Sequence, residues 1–311
     1  MIPVEELRKR WQGVVIPLVT PFKEDGSMDL PALESNVQWL IDKGARAGNS
    51  VLLAVGSGGD FTSMRVEERK EAIKTVCEVA KGKVPVMASG QSTDIRDCIE
   101  ICQHGEAVGM DAVQLAGHYF YDGRPGDTLA WFKEVARNTD IGFAVYNHFY
   151  SGAHFDMPLE LIDEVLDIPN SIAVKWGAAD VAKFMAGVQR FNSRAVVVDN
   201  AFLPQISYML GVRCHISHIP NFYPEHSWGV HELLVAGKYE EAKREWDRCA
   251  QPWLKLTAEV RAQTAAEGVF VRPAMDAAGL KGGHSRLPSR DEVVTPELRE
   301  GYKKMLAEFQ G

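Results

Sequence analysis

The sequence predicts an α/β fold, a TIM-type (β/α)8 barrel with a C-terminal helical appendage. Three observations carry this. Eight short β-like apolar runs recur along the chain, each followed by a helical pattern. The runs are apolar on both faces, as strands of a parallel sheet covered by helices must be. The β signal then stops near residue 226, and only helical patterns follow.

The strands are expected at residues 14–19, 51–55, 84–88, 112–115, 142–146, 172–175, 195–199 and 212–217. Between them, residues 30–43 place Leu33, Val37, Leu40 and Ile41 on one helical face. Residues 67–81 do the same with Ile73, Val76, Cys77 and Ala80, and residues 93–108, 127–138 and 158–166 behave likewise. Strand–helix units repeated eight times favour a closed barrel over an open sheet. An open doubly wound sheet would usually carry a glycine-rich dinucleotide turn after its first strand. Here Leu18-Val19-Thr20-Pro21-Phe22 stands in that place. The last part reads as helices over 231–236, 239–264, 272–278 and 296–310, with Thr295-Pro296 as an N-cap and first-turn pair. The expected division is residues 1–225 for the barrel and 226–311 for the appendage.

Composition removes several classes of function. The 311 residues carry 42 acidic against 34 basic side chains, a net charge of −8, with no basic run of the kind nucleic acid needs. An apolar fraction of 46% excludes a disordered chain. No apolar stretch approaches the ~20 residues that span a bilayer, and the charged N-terminus does not read as a signal peptide. The five cysteines include no Cys-x-x-Cys pair; Cys98 and Cys102 share a helical face as small core residues. A cytoplasmic protein without structural disulfides is expected.

In a parallel barrel the active site forms at the C-terminal strand ends. Lys175 ends the apolar run Ile172-Ala173-Val174, where a lysine is rarely buried without a role. Burial disfavours the ammonium and yields an amine able to attack a ketone. Tyr146 ends the neighbouring strand, so its phenol can serve that amine as a proton shuttle. The turn Gly56-Ser57-Gly58-Gly59 offers backbone N–H groups in a concave shape suited to a carboxylate. His118, His148, His218 and His215 lie near strand ends. Of these, His118, His148 and His218 read as ligands for substrate hydroxyls or a distal carboxylate, or as an acid to a leaving hydroxide, while His215 and His218, three apart on an extended segment, are expected to point to opposite faces unless a bulge intervenes. No His-x-His occurs on strand one, so no metal is expected.

These pieces resemble the dihydrodipicolinate synthase and N-acetylneuraminate lyase superfamily of class I Schiff-base lyases. The likeness rests on Ile16-Pro17-Leu18-Val19-Thr20-Pro21-Phe22, the Gly56–Asp60 turn, Glu67-Glu68-Arg69, Val145-Tyr146-Asn147 and Val174-Lys175. Ser217-His218-Ile219-Pro220-Asn221, the tail from Arg272 to Leu280, and Arg286-Leu287-Pro288 continue it. The resemblance implies an imine on Lys175, with Tyr146 and Ser57 as its catalytic companions and Gly58 on the substrate carboxylate. Gly56, Asp60, Thr20 and Asn221 would line the same site, with His118, Tyr119, Asn147, His148 and His218 toward the rest of the substrate. It implies no metal or organic cofactor, a small 2-oxo acid as partner, and a homo-oligomer, dimer or tetramer.

Departures narrow the reading. The family turn often reads Gly-Thr-Thr-Gly-Glu, whereas Ser57, Gly58 and Asp60 stand here. The synthase arginine five positions after the tyrosine is Ser151, and its relay tyrosine is matched by Phe120. Both point away from the lysine-biosynthetic synthase. Gly117-His118-Tyr119, Val145-Tyr146-Asn147 and Gly59-Asp60-Phe61-Thr62-Ser63-Met64 resemble the 5-dehydro-4-deoxyglucarate dehydratase branch instead. Dehydration of a 2-keto-3-deoxy sugar acid is therefore favoured, with aldol chemistry on pyruvate as the alternative. A metal-dependent barrel enzyme and a non-catalytic sugar-acid sensor are the rival classes.

Overall fold

The structure, a computed structural model, describes residues 3–149 and 155–310. Its eight strands are β1 (Gly13–Pro17), β2 (Ser50–Ala54), β3 (Val86–Ser89), β4 (Ala112–Leu115), β5 (Gly142–Tyr146), β6 (Ser171–Trp176), β7 (Val196–Asp199) and β8 (Cys214–Ile216). They close into a barrel in sequence order, and every pair with a described register is parallel. Every strand residue is buried, as runs apolar on both faces require.

The helices are α1 (Val4–Arg10), α2 (Leu30–Lys43), α3 (Val66–Ala80), α4 (Ile95–Ala107), α5 (Pro125–Arg137), α6 (Leu159–Leu166), α7 (Val181–Phe191) and α8 (Pro204–Met209). After β8 come α9 (Pro224–Val235), α10 (Tyr239–Arg261), α11 (Gly268–Ala277) and α12 (Pro296–Gln310). Helices α9 and α11 begin earlier than their apolar patterns suggested. Pro224 opens α9 in its first turn, and Pro273 sits inside α11 rather than near its start.

The chain forms two compact units. The first holds residues 1–15, 47–51 and 85–216. In it, strand side chains alternate between the barrel interior and the helix layer. Trp176 takes the helix side: its Nε1 donates to Phe184 O of α7 at 2.9 Å, and its ring meets Phe191 edge-on. His215 of β8 likewise turns to α8, with Nδ1 3.1 Å from the Tyr208 hydroxyl. Helix α1 lies at the N-terminal strand ends. Arg8 donates to Ala195 O, just before β7, and Arg10 pairs with Asp111, just before β4. Cys98 and Cys102 are buried in α4, and all five cysteines are free thiols.

The second unit holds residues 16–46, 52–84 and 217–311. Its core joins Val19, Phe222, Trp253, Phe270, Tyr302 and Phe309 with their aliphatic neighbours. The α12 N-terminus is capped as the sequence indicated, Leu298 N donating to Thr295 Oγ1 at 3.3 Å. Arg286 lies over the Phe22 ring and binds Glu68 through two hydrogen bonds of 2.6 and 2.9 Å.

Candidate active site

Tyr146 is the last residue of β5, and Lys175 the last but one of β6. The two are register partners on adjacent parallel strands, so their side chains leave the same face. Trp176 occupies the helix side of β6, and Lys175, its neighbour, therefore points into the barrel. Lys175 is 4% exposed and Tyr146 1%. The Lys175 Nζ stands 4.0 Å from the centroid of the Tyr146 ring. A ring face attracts a cation electrostatically, which suits an amine buried at a strand end. The lysine and tyrosine singled out in the sequence are thus brought together.

The segment after Tyr146 is tied down by Asn147. Its amide donates to Asp156 Oδ1 at 2.8 Å and to Gly177 O at 2.7 Å, while its Oδ1 accepts from Met157 N at 3.0 Å. Asn147 therefore links the ends of β5 and β6, with its amide hydrogens already engaged. The His148 ring lies 4.9 Å from that of Tyr146. His118 Nδ1 accepts from the Phe120 and Tyr121 amides at 3.3 and 3.4 Å, so in the neutral ring its proton is on Nε2. His118, Tyr119 and His148 share a cavity of about 20 Å³ with Phe155 and Met157, room for about one water. Ser151, at the position of the family arginine, and Tyr150 and His154 lie outside the described residues.

In the second unit, the turn after β2 is a short 3-10 helix, Ser57–Gly59. Gly59 N donates to Gly56 O at 3.0 Å and Asp60 N to Ser57 O at 3.1 Å. This corrects the expectation of several open N–H groups. The 3-10 ring closure takes those of Gly59 and Asp60, while the amides of Ser57 and Gly58 are not used in closing the turn. A side chain on Gly59 would meet Leu18 O at 2.9 Å and Thr20 Oγ1 at 3.1 Å. The turn thus rests directly on the segment after β1, where Thr20 is buried.

Asp60 takes a left-handed backbone conformation, φ 55°, that turns its carboxylate inward. There it meets a residue the sequence reading did not place in the site. Arg272 Nη2 donates to Asp60 Oδ2 at 2.5 Å and to Thr20 O at 2.9 Å, and Nη1 donates to Ser285 Oγ at 3.1 Å. Burial raises the Asp60 pKa, and the Arg272 charge opposes that rise. Asp60 thus anchors the turn. The signal for Arg272 was present: an arginine between Val269-Phe270-Val271 and Ala274-Met275 must find a buried partner.

Asn221 donates to Pro17 O and His218 O, both at 3.0 Å, and so pins the segment after β8 beneath the β1 end. His218 stands beside Gly58, its Cε1 3.1 Å from the point a Cβ at 58 would occupy. Its Nε2 is 3.4 Å from Glu267 Oε2. Nothing in the sequence linked Glu267 to the site. His215 lies with Tyr208 rather than with the strand-end histidines. Among the described residues no three His, Cys, Asp or Glu side chains gather as a metal-binding group.

An eight-stranded parallel barrel with a buried lysine at the end of its sixth strand and a tyrosine paired to it on the fifth defines an enzyme of the Schiff-base lyase class. The comparisons agree: residues 10–307 match the Dihydrodipicolinate synthetase family, and the chain belongs to it. A 4-hydroxy-tetrahydrodipicolinate synthase of Methanosarcina barkeri is 27% identical over 300 residues, 93% of this chain and 98% of the relative. An N-acetylneuraminate lyase of Rhizobium meliloti is 26% identical, covering 95% of this chain and 96% of that one. Among solved structures, dihydrodipicolinate synthase from Oceanobacillus iheyensis superposes with a TM-score of 0.85 at 20% identity, covering 99% of each chain. N-acetylneuraminate lyase from Mycoplasma synoviae gives 0.81 at 19%, covering 97% of this chain and 99% of that one. At those identities the superpositions bear on the fold.

Proposed function

We propose that the chain is a dehydratase of a 2-keto-3-deoxy sugar acid, working through an imine on Lys175. The observation that carries the imine is the register pairing of Lys175 with Tyr146, two buried groups on one inward face. The amine attacks the C2 carbonyl carbon, whose oxygen leaves as water, giving an iminium. The iminium is an electron sink that acidifies C3. Loss of a C3 proton gives the enamine, Tyr146 serving as the shuttle. The enamine then expels the C4 hydroxyl, which leaves as water after gaining a proton, and water hydrolyses the conjugated iminium left on Lys175, releasing the 3,4-unsaturated 2-oxo acid and the free amine. The turn after β2 offers the Ser57 hydroxyl and the Gly58 N–H, which its own closure does not use, and we assign a carboxylate to them. No metal or organic cofactor enters this sequence of steps.

Support for dehydration comes from the branch-like segments at residues 59–64 and 117–119, and from histidines rather than arginines at His118, His148 and His218. A second reading is favoured by the relatives. The names 4-hydroxy-tetrahydrodipicolinate synthase and N-acetylneuraminate lyase point to carbon–carbon bond chemistry with pyruvate. In that case the C4 hydroxyl gives up its proton as the C3–C4 bond of the iminium breaks, an aldehyde leaves, and the remaining enamine of pyruvate is protonated at C3 and hydrolysed to pyruvate and free Lys175. Incubation with 2-keto-3-deoxy acids separates the two. Dehydration yields an unsaturated 2-oxo acid, lighter by one water, and no pyruvate, whereas pyruvate in a lactate-dehydrogenase-coupled assay establishes the aldolase. Activity abolished by chelator and insensitive to borohydride contradicts both.

Surroundings fit this reading. Phe120 and Tyr121 are largely exposed on the loop after β4, and we assign them to a homo-oligomer contact, in a dimer or tetramer. No described helix is long and apolar enough to cross a membrane, and five free, buried cysteines suit the reducing cytoplasm.

A further inference from the structure

We infer that Asn147 is a positioning residue for Lys175, and that Asp156 shares this role by fixing the Asn147 amide. Given the imine reading above, on which this rests, Asn147 sets how fast the imine forms and not how tightly the substrate is held. All the residues concerned lie in the first compact unit.

Strand β5 ends at Tyr146. The next backbone N–H, that of Asn147, donates to Lys175 O at 3.2 Å. In a parallel ladder successive rungs fall on alternate carbonyls of the partner strand, so the next one reaches Gly177 O. The Asn147 side chain supplies that rung, its amide donating to Gly177 O at 2.7 Å. From the opposite edge, Asn200 N donates to Trp176 O at 2.8 Å. The carbonyls of residues 175, 176 and 177 are thus each held, two of them by Asn147. The Lys175 stem is long and flexible, so its backbone must stay fixed for Nζ to remain against the Tyr146 ring.

The Asn147 amide is itself locked. Its Oδ1 accepts from Met157 N at 3.0 Å, and Nδ2 donates to Asp156 Oδ1 at 2.8 Å. Turning the amide over would set its oxygen against the Asp156 carboxylate and Gly177 O, and its hydrogens against the Met157 N–H. Asn147 is 0% exposed, so water cannot replace a lost partner. Both amide hydrogens are committed to the protein, which leaves none for a substrate. Lys183 Nζ pairs with the same Asp156 oxygen at 2.7 Å, both side chains about one-quarter exposed. An ion pair open to solvent contributes little. The hydrogen bond from Asn147 is therefore the contact of Asp156 that matters to Lys175.

The test quenches the protein with borohydride at successive times across a range of pyruvate concentrations. It reads a limiting rate constant and a half-saturating concentration for the Lys175 adduct, in variants that thermal melts show to be folded at the assay temperature. Asn147→Ala is expected to lower the rate constant about 10–100-fold, and Asp156→Ala about tenfold. The half-saturating concentration should stay within about twofold in both. Asp156→Asn keeps an acceptor for the Asn147 amide, and Lys183→Met keeps the carboxylate, so both should retain the rate constant within about twofold. A raised half-saturating concentration with an unchanged rate constant would make Asn147 a substrate ligand and overturn the proposal. An unchanged rate constant in Asn147→Ala would overturn it too. Equal losses in Asp156→Ala and Asp156→Asn would overturn the part given to Asp156. If Asn147→Ala does not fold, the two Asp156 variants decide. An unmodified protein that forms no adduct is a distinct outcome, and overturns the imine reading together with what is built on it.

Discussion

Lys175 Nζ sits over the face of the Tyr146 ring, 4.0 Å from its centroid, and the two residues pair in register across β5 and β6. Two different parts of the tyrosine are therefore available for two tasks. The ring face lies against Nζ and attracts its ammonium form, the form that must lose a proton before attack. The hydroxyl is the part with acid–base capacity.

Tyr146→Phe separates these tasks, because it keeps the face and removes the hydroxyl. Turnover of a 2-keto-3-deoxy acid is expected to drop about 10²–10⁴-fold, while the trapped adduct on Lys175 still accumulates on long incubation. Steady-state assays beside intact-mass measurements check both parts. Turnover near that of the unmodified enzyme would remove Tyr146 from the proton transfers.

The Asp60–Arg272 pair links the turn after β2 to α11 within the second unit, both side chains almost wholly buried. Removing one partner leaves the other charge buried and unpaired. Arg272→Met or Asp60→Leu alone should destabilise the protein by about 3–5 kcal/mol in urea titrations. The double variant should recover much of that loss, since neither charge then remains. Equal losses in the single and double variants would show that the cost is one of packing.

Gly13 opens β1 at φ 84°, and a Cβ there would stand 1.9 Å from Asn49 O. Gly26 has a similar φ of 80° with open space around it. Gly13→Ala should cost more than about 3 kcal/mol or prevent folding, whereas Gly26→Ala should cost about 1 kcal/mol. Thermal melts of the two variants, compared directly, distinguish backbone collision from left-handed strain. Similar costs would mean that the chain relaxes around Asn49.

Asp199, at the end of β7, is fully buried, and its pKa is raised from 3.8 to about 6, mainly by desolvation. Amides of Ala201 and Leu203 donate to it and oppose that rise. Between these values the folded state binds more protons than the unfolded one. Stability from this group therefore falls as pH rises through roughly 4 to 6. The change is on the order of 3 kcal/mol. Urea midpoints of the unmodified protein minus those of Asp199→Asn should decline across that window. A flat difference would indicate that the carboxyl titrates normally.

Much of the fold was legible because its strands are short, wholly buried and apolar on both faces, a pattern few other arrangements tolerate. Lys175 stood out for the same reason, as a charge terminating such a run. Tyr146 followed from its place at the end of the neighbouring strand. What escaped were partners far apart in sequence. Arg272 reaches Asp60 across 212 positions, and no local pattern announces that contact. Glu267 is one of many acidic residues until His218 is seen beside it. The separation of His215 from His218 was legible, since residues three apart on an extended segment point to opposite faces. The alternation of β8 sends the first to Tyr208, whereas the second lies past the strand. The turn after β2 was visible as glycines, but its 3-10 closure, which takes two of its amides, was not.

The central claim is that Lys175 forms the imine. It is tested most directly by reducing the protein with borohydride in the presence of pyruvate and mapping the modified peptide by mass spectrometry. The account predicts a reduced pyruvyl adduct on Lys175, absent in Lys175→Ala. An unmodified Lys175 peptide, or an adduct that persists in Lys175→Ala, would contradict it.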